Sequence, residues 1–259
     1  MAPVVPDILA RIVDQKRIEL RNISHAQRAE WEKIAGNRTD QRSFLAALKA
    51  NPPAIISEIK KASPSKGILS ATFDPPAIAG LYESGGAAAL SVLTDREFFQ
   101  GSLDDLVVAR ASVNLPVLRK DFTINEIHVI EAAAHGADAI LLIAALLDEK
   151  EMRWFRELAE QFRMDALVEV HDESELSAAL ASGAKIVGVN NRNLHTFEVT
   201  LETSLRLAEK IPSSVVKVAE SGIHSSSDVK TLRGFDAFLV GERLMNSADP
   251  AQALRELRS

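Results

Sequence analysis

The chain has 259 residues, 46% of them hydrophobic and 25% charged, a composition that suits a packed globular fold and excludes intrinsic disorder or a fibrous repeat. A net charge of −6 argues against a broad nucleic-acid or anionic-membrane surface, while leaving room for a local basic pocket that holds one small anion. The absence of cysteine excludes disulfides, thiolate metal sites and thiol nucleophiles together.

The opening stretch lacks the apolar run of a secretory signal, and no later segment approaches the roughly 20 apolar residues of a membrane helix. A cytoplasmic protein is therefore expected. Residues 7–50 carry a helical pattern: Ile8, Leu9, Ile12 and Val13 form one apolar stripe, with Lys16, Arg17, Glu19 and Arg21 placed around it. After Asn51-Pro52-Pro53 the texture changes to short β-branched runs that alternate with amphipathic stretches, the mark of repeated βα units.

Eight such runs can be read, at 54–60, 89–94, 116–121, 139–145, 166–170, 186–191, 216–220 and 237–241. Helical patterns lie between them, at 102–113, 148–162, 172–183 and 200–211, with a last one at 249–257. The even-numbered runs follow helix endings that carry Gly86, Gly136, Gly183 and Gly234, spaced by 50, 47 and 51 residues; three odd ones follow Pro53, Pro116 and Pro212. Glycine ends a helix in the left-handed region and proline stops one, so two kinds of turn alternate around a ring. The expected fold is a single α/β domain over 1–259, a (β/α)8 TIM barrel whose N-terminal helical extension covers 1–50. The rival, an open doubly wound sheet, would call for a Gly-rich phosphate turn after its first strand, and "KKASPSKG" is not one.

Charges at the strand ends point to the site. In a closed parallel barrel side chains alternate between lumen and helix layer, so Glu58 and Lys60 share one face while Ser57 and Ile59 take the other. Ile59 belongs against the helices, which sends Glu58 and Lys60 to the C-terminal mouth, where barrel active sites are built. An unpaired buried charge costs several kcal/mol, so other strands must bring partners. Lys120 ends the third strand, Glu169 the fifth, Asn190 and Arg192 the sixth, and Glu220 and Ser221 the seventh. Asp121 and Asp172 read more simply as helix N-caps or solvated strand ends.

The turns at "ESGI" and "VGERL" place Gly222 and Gly241 where a phosphate would sit between the last two strands, although glycine positions alone fit two ordinary tight turns equally well. The six histidines lack metal-ligand spacing, so no metal site is expected. Lys60, Lys61 and Lys66 lack the interleaved aromatics of a nucleic-acid loop, and Trp31 and Trp154 read as packing residues.

Together, "DILARIVDQKRIEL", "SEIKKASPSKG", "LRKDF", "LLIAALL", "LVEVH", "GVNNRNL", "AESGI" and "VGERLM" closely resemble the indole-3-glycerol phosphate synthase family over essentially the whole chain. The resemblance implies ring closure of 1-(2-carboxyphenylamino)-1-deoxyribulose 5-phosphate, with loss of carbon dioxide and water, and no cofactor. It implies Lys120 as general acid and Glu169 as acid/base partner. Lys60 would lie near the phosphate and sugar oxygens, Glu58 would orient the lysines, and Asn190 would assist the hydroxyl chemistry. Ser63 and Arg192 would hold the anthranilate ring and its carboxylate, Phe122 and Pro64 would wall the ring, and Ser221, Gly222 and Gly241 would cradle the phosphate beside Glu220.

One departure is Glu242, where the family commonly has a small or hydroxyl residue; backbone donors survive that change, and the side chain's share in the phosphate shell is in question. The implied partner is a phosphorylated small molecule, with neither nucleic acid nor membrane, and a monomer is compatible with the sequence. The N-terminal helix is expected to cross the substrate entrance. Phosphoribosylanthranilate isomerase, a barrel resembling a cysteine-base site, is disfavoured by the missing thiol; an idle phosphate-binding barrel is disfavoured by the intact Lys60, Lys120 and Glu169.

Overall fold

A computed structural model describes residues 7–63, 67–68 and 73–259. Three helices come first: α1 (Asp7–Arg21), α2 (His25–Asn37) and α3 (Phe44–Ala50). Eight barrel strands follow: β1 (Ala54–Ile59), β2 (Ala89–Leu93), β3 (Val117–Lys120), β4 (Ala139–Ile143), β5 (Asp165–Val170), β6 (Ile186–Asn190), β7 (Val216–Glu220) and β8 (Ala237–Val240). All neighbours are parallel, and the ring closes where β1 pairs with both β2 and β8. The helices between them are α4 (Pro75–Gly85), α5 (Leu103–Ser112), α6 (Glu126–Ala134), α7 (Glu149–Gln161), α8 (Glu173–Ala181), α9 (Glu202–Ala208) and α10 (Ser226–Thr231). After β8 come α11 (Glu242–Met245) and α12 (Pro250–Leu257), and a short antiparallel ribbon joins Ala62–Ser63 to Gly67–Ile68.

The expected barrel is thus present; two strands end at the expected residues 170 and 220, and the other six stop one or two residues early. The run at 139–145 ends at Ile143, whose carbonyl accepts from the N–H groups of Leu146 and Leu147 and so turns the chain. The glycine repeat holds at three of its four places. Gly86, Gly136 and Gly183 have φ of 90°, 91° and 86°, and each is followed by a residue whose N–H reaches back to close the helix end. Gly234 does not adopt that conformation; the chain leaves α10 through a turn from Leu232 to Phe235 instead.

Strand alternation builds two cores. Ala54, Ile56, Leu118, Leu141, Leu167, Val218 and Leu239 fill the lumen, while Ile55, Ile59, Leu90, Val92, Leu142, Val168 and Val240 pack outward against the helices. Helix α1 contributes Leu9 and Ile12 to the lumen core, so it lies across the barrel mouth as expected. Below, Asp138 gathers Arg38, Arg110 and the backbone N–H groups of Arg42 and Val117, fastening the helical extension to the barrel.

Two expectations change here. Lys16 is buried, not arrayed around the α1 stripe: positions 9, 12 and 16 share one helical face, and the ammonium finds buried carboxylates at its end. Trp31 packs edge-on against His135, but Trp154 is 48% exposed, because α7 turns that side of its amphipathic surface to solvent.

Candidate active site

Above the apolar lumen an inward residue at or next to the end of five strands is polar: Glu58 on β1, Lys120 on β3, Glu169 on β5, Asn190 on β6 and Glu220 on β7. These groups line a cavity of about 380 Å³, a size suited to a small ligand. Ile8, Leu9 and Ile12 of α1 cover one side and Leu141, Ile143 and Leu239 lie below. Lys60, Ser63, Phe122, Arg192, Ser221, Gly222, Gly241 and Glu242 complete the predicted set on the same wall. Pro64 lies outside the described residues, as does Lys66.

The centre is a carboxylate–ammonium–carboxylate arrangement. Lys120 Nζ donates to Glu169 Oε2 at 2.9 Å and to Glu220 Oε2 at 2.7 Å. Burial works to lower the Lys120 pKa, but Glu169, Glu220 and Glu58 outweigh it and hold the group above its ordinary value. Burial also works against an ionised Glu169; Lys120, then His171 and Asn190, reverse that and keep its carboxyl well below the usual range. Asn190 Nδ2 donates to Glu169 Oε1 at 3.0 Å, and its own Oδ1 accepts from the Ser221 hydroxyl at 2.9 Å and from the Arg192 N–H at 3.0 Å. Glu220 differs: burial pushes it up to about 7, with Lys120 opposing and the charges of Glu169 and Glu58 reinforcing the shift.

Lys60 pairs with Glu58, whose backbone carbonyl accepts from the Tyr82 hydroxyl at 3.1 Å. Small residues make room for these carboxylates. A Cβ at Gly241 would stand 3.0 Å from the carboxyl carbon of Glu58, and one at Gly188 would stand 3.2 Å from that of Glu220. At the candidate cradle Ser221 and Gly222 have φ of 65° and 79°, a consecutive left-handed pair that turns the chain sharply at the end of β7.

A family model described as indole-3-glycerol phosphate synthase matches residues 9–257. The indole-3-glycerol phosphate synthase of Polaromonas naphthalenivorans (strain CJ2) is 51% identical over 258 residues, covering 97% of this chain and 98% of that relative. The chain belongs to the indole-3-glycerol phosphate synthase family. A second relative of the same name, from Koribacter versatilis (strain Ellin345), is 48% identical over 255 residues, covering 96% of this chain and 98% of its own. Among solved structures, thiamine phosphate pyrophosphorylase from Pyrococcus furiosus has a TM-score of 0.59 at 18% identity, over 83% of this chain and 96% of that one. KGPDC from Streptococcus mutans has a TM-score of 0.59 at 14% identity, over 80% of this chain and 95% of that one. At such identities these two share the barrel alone.

For a member of the indole-3-glycerol phosphate synthase family, two parts of this mouth escaped the reading of strand ends. His171, two residues beyond Glu169, stands behind that carboxylate; the alternation that paired Glu58 with Lys60 would have found it. The second is a buried ionic network beneath α1. Lys16 Nζ lies 2.9 Å from Asp121 Oδ1 and 3.0 Å from Asp95 Oδ2, and Asp121 Oδ2 also accepts from Arg119 at 3.1 Å and from the Thr94 hydroxyl. Asp121 is therefore no N-cap: Asn125 caps α6, and Asp121 is buried because it links α1 to the strand end next to Lys120. Asp172 does cap α8, accepting from the Glu175 N–H at 2.9 Å.

His128 packs against this network, and its Nδ1 is placed to accept from the Ile124 N–H at 3.3 Å, which requires a neutral ring. Burial, then Arg119, lowers its pKa from 6.5 to about 4. Between those values the unfolded chain binds a proton that the native ring refuses, so stability is lost as pH falls through the window. The contribution is on the order of 3 kcal/mol. Urea unfolding at about pH 7 and about pH 4.5 should show a steeper acid-side loss in the parent than in His128→Gln.

Proposed function

We propose that this cavity closes the pyrrole ring of 1-(2-carboxyphenylamino)-1-deoxyribulose 5-phosphate, with Lys120 as the general acid and Glu169 as its acid/base partner. The activity is that of the family: a carboxy-lyase reaction giving indole-3-glycerol phosphate in tryptophan biosynthesis. The observation that carries the residue roles is the Lys120 ammonium held between two carboxylates in a cavity walled by apolar residues of α1 and the barrel lumen.

The ring carbon bearing the carboxylate attacks the ketone carbon, and the ketone oxygen takes a proton from Lys120 as the new C–C bond forms. Loss of carbon dioxide returns the electrons of the broken bond to the aromatic ring. The new hydroxyl then leaves as water, with Glu169 accepting and returning protons beside it and Asn190 directing the hydroxyl. Arg192 and Ser63 hold the substrate carboxylate, and Phe122, 6.2 Å from the Phe99 ring, walls its aromatic end. Lys60 and the backbone N–H groups near Gly222 and Gly241 hold the phosphate. Such fixed donors act only on a substrate already in reacting geometry, which the apolar wall of α1 favours by excluding water.

No described helix is long and apolar enough to cross a membrane. The partner is a phosphorylated small molecule, and the assignment to the cytoplasm rests on the biosynthetic pathway. Every residue named for the site comes from one chain, so a monomer suffices. The test is incubation of the purified chain with the carboxyphenylamino-deoxyribulose phosphate. Indole fluorescence should appear, and inorganic phosphate should compete with substrate. Substrate that binds unchanged would make the chain an idle phosphate-binding barrel, and phosphate without effect would move the cradle away from Gly222 and Gly241.

A further inference from the structure

Lys120 alone does not distinguish its two carboxylates. Glu169 and Glu220 are both buried, both come from the lumen face, and both accept from the same ammonium at nearly equal distances. Around Lys120, three carboxylates (Glu58, Glu169 and Glu220) have two ammonium groups as ion-pair partners (Lys60 and Lys120). Two buried carboxylates that share one ammonium do not ionise equally, and one of the pair takes up a proton more readily.

What separates the two is their remaining surroundings. Glu220 Oε1 has no hydrogen-bond partner. Glu169 Oε1 accepts from Asn190 and has His171 Nε2 at 3.4 Å, an ion-pair separation without hydrogen-bond geometry. His171 does not line the cavity. It is held from behind: Glu175 Oε2, on α8, lies 3.0 Å from its Nδ1 and accepts from its backbone N–H at 2.7 Å. The charged groups facing the ring are thus Glu169 from its own strand and Glu175 from α8. Lys120 on β3 and the neutral Asn190 on β6 reach the far sides of Glu169, and the cations Arg206 on α9 and Lys210 just beyond it are occupied by Glu173.

We infer that His171 is the positioning residue that decides which of the two carboxylates on Lys120 stays ionised, reserving Glu169 as the base and leaving the proton to Glu220. Between its two carboxylates the imidazole carries a charge, and although burial opposes this, Glu169 and Glu175 raise its pKa to about 10. It thus places a cation, itself paired with Glu175, beside Glu169 and not beside Glu220.

The inference rests on the proposed roles of Lys120 and Glu169, but its test does not need turnover. In the full-length chain carrying carboxyl-labelled glutamate, with signals assigned through Glu169→Gln and Glu220→Gln, the parent should hold Glu169 ionised to the acid limit of the native state. Glu220 should titrate near neutrality. In His171→Gln, which keeps polarity but loses the charge, the Glu169 titration should rise by at least about one pH unit and that of Glu220 should fall toward it. His171→Asn, a shorter uncharged amide, should move both in the same directions. Separate kinetics should show the acid limb of kcat/KM moving upward in His171→Gln while KM at neutral pH holds. Two carboxylate titrations unmoved in folded His171→Gln, or in His171→Asn should the first variant not fold, would overturn the inference. A parent chain with the expected titrations but no turnover would instead count against the proposed function.

Discussion

Replacing Lys120 by methionine is expected to lower turnover by at least about 100-fold while the barrel remains folded. The loss follows from position: Lys120 is the ammonium placed between Glu169 and Glu220 at the centre of the cavity, with no other lysine or arginine within hydrogen-bond reach of either carboxylate among the described residues. Folding should survive because Glu220, already pushed up to about 7, can take up a proton and remove the repulsion that the missing ammonium would leave. Single-turnover kinetics with the carboxyphenylamino-deoxyribulose phosphate, alongside a circular dichroism melt, check both halves. Unchanged turnover would remove Lys120 from the acid role.

The largest effect on stability is expected at Lys16→Met. Its ammonium is buried and meets Asp95 and Asp121, which are also buried. Burial works to lower the Lys16 pKa, yet Asp121 and Asp95 raise it above its ordinary value, so the charge is retained at every working pH. Methionine fills similar volume but leaves the two carboxylates without that partner, which costs about 3–5 kcal/mol. In a chain of this size that is a fall of roughly 10 °C in melting temperature. Asp121 retains Arg119 and the Thr94 hydroxyl, so Asp95 is the more exposed to the loss. The deficit should shrink as pH falls, since the Asp121 carboxyl, which against the effect of burial Arg119 and Lys16 hold below its usual range, no longer needs that cation once protonated. Urea unfolding of parent and variant at neutral and acid pH would measure this, and a constant difference would place the cost elsewhere.

Much of this site could be read from the chain because barrel geometry turns spacing into direction. Once 54–60 is a strand, Ile59 against the helices requires Glu58 in the lumen, and the same step places Lys120, Glu169, Asn190 and Glu220. What escaped depended on contacts between elements. Lys16 looks like one more surface lysine of an amphipathic helix until Asp95 and Asp121 are found beneath its face. Asp121 has the look of a cap because it precedes α6 closely, and only the packing of α1 shows that its carboxylate is turned inward. Gly234 resembles the other three repeat glycines in spacing, yet α10 ends differently, so local sequence alone did not carry its conformation.

The seating of Glu58 against Gly241 joins the first strand of the ring to the residue just beyond the last. The charged groups of the cavity are therefore assembled only when the two ends of the sheet have met, and prying apart that seam would dismantle the pocket while leaving most individual hairpin-free βα units intact. A ligand that spans Lys60 and the Gly241 backbone would act as a clasp across the join, slowing amide exchange along β1 and β8 more than along β4 and β5.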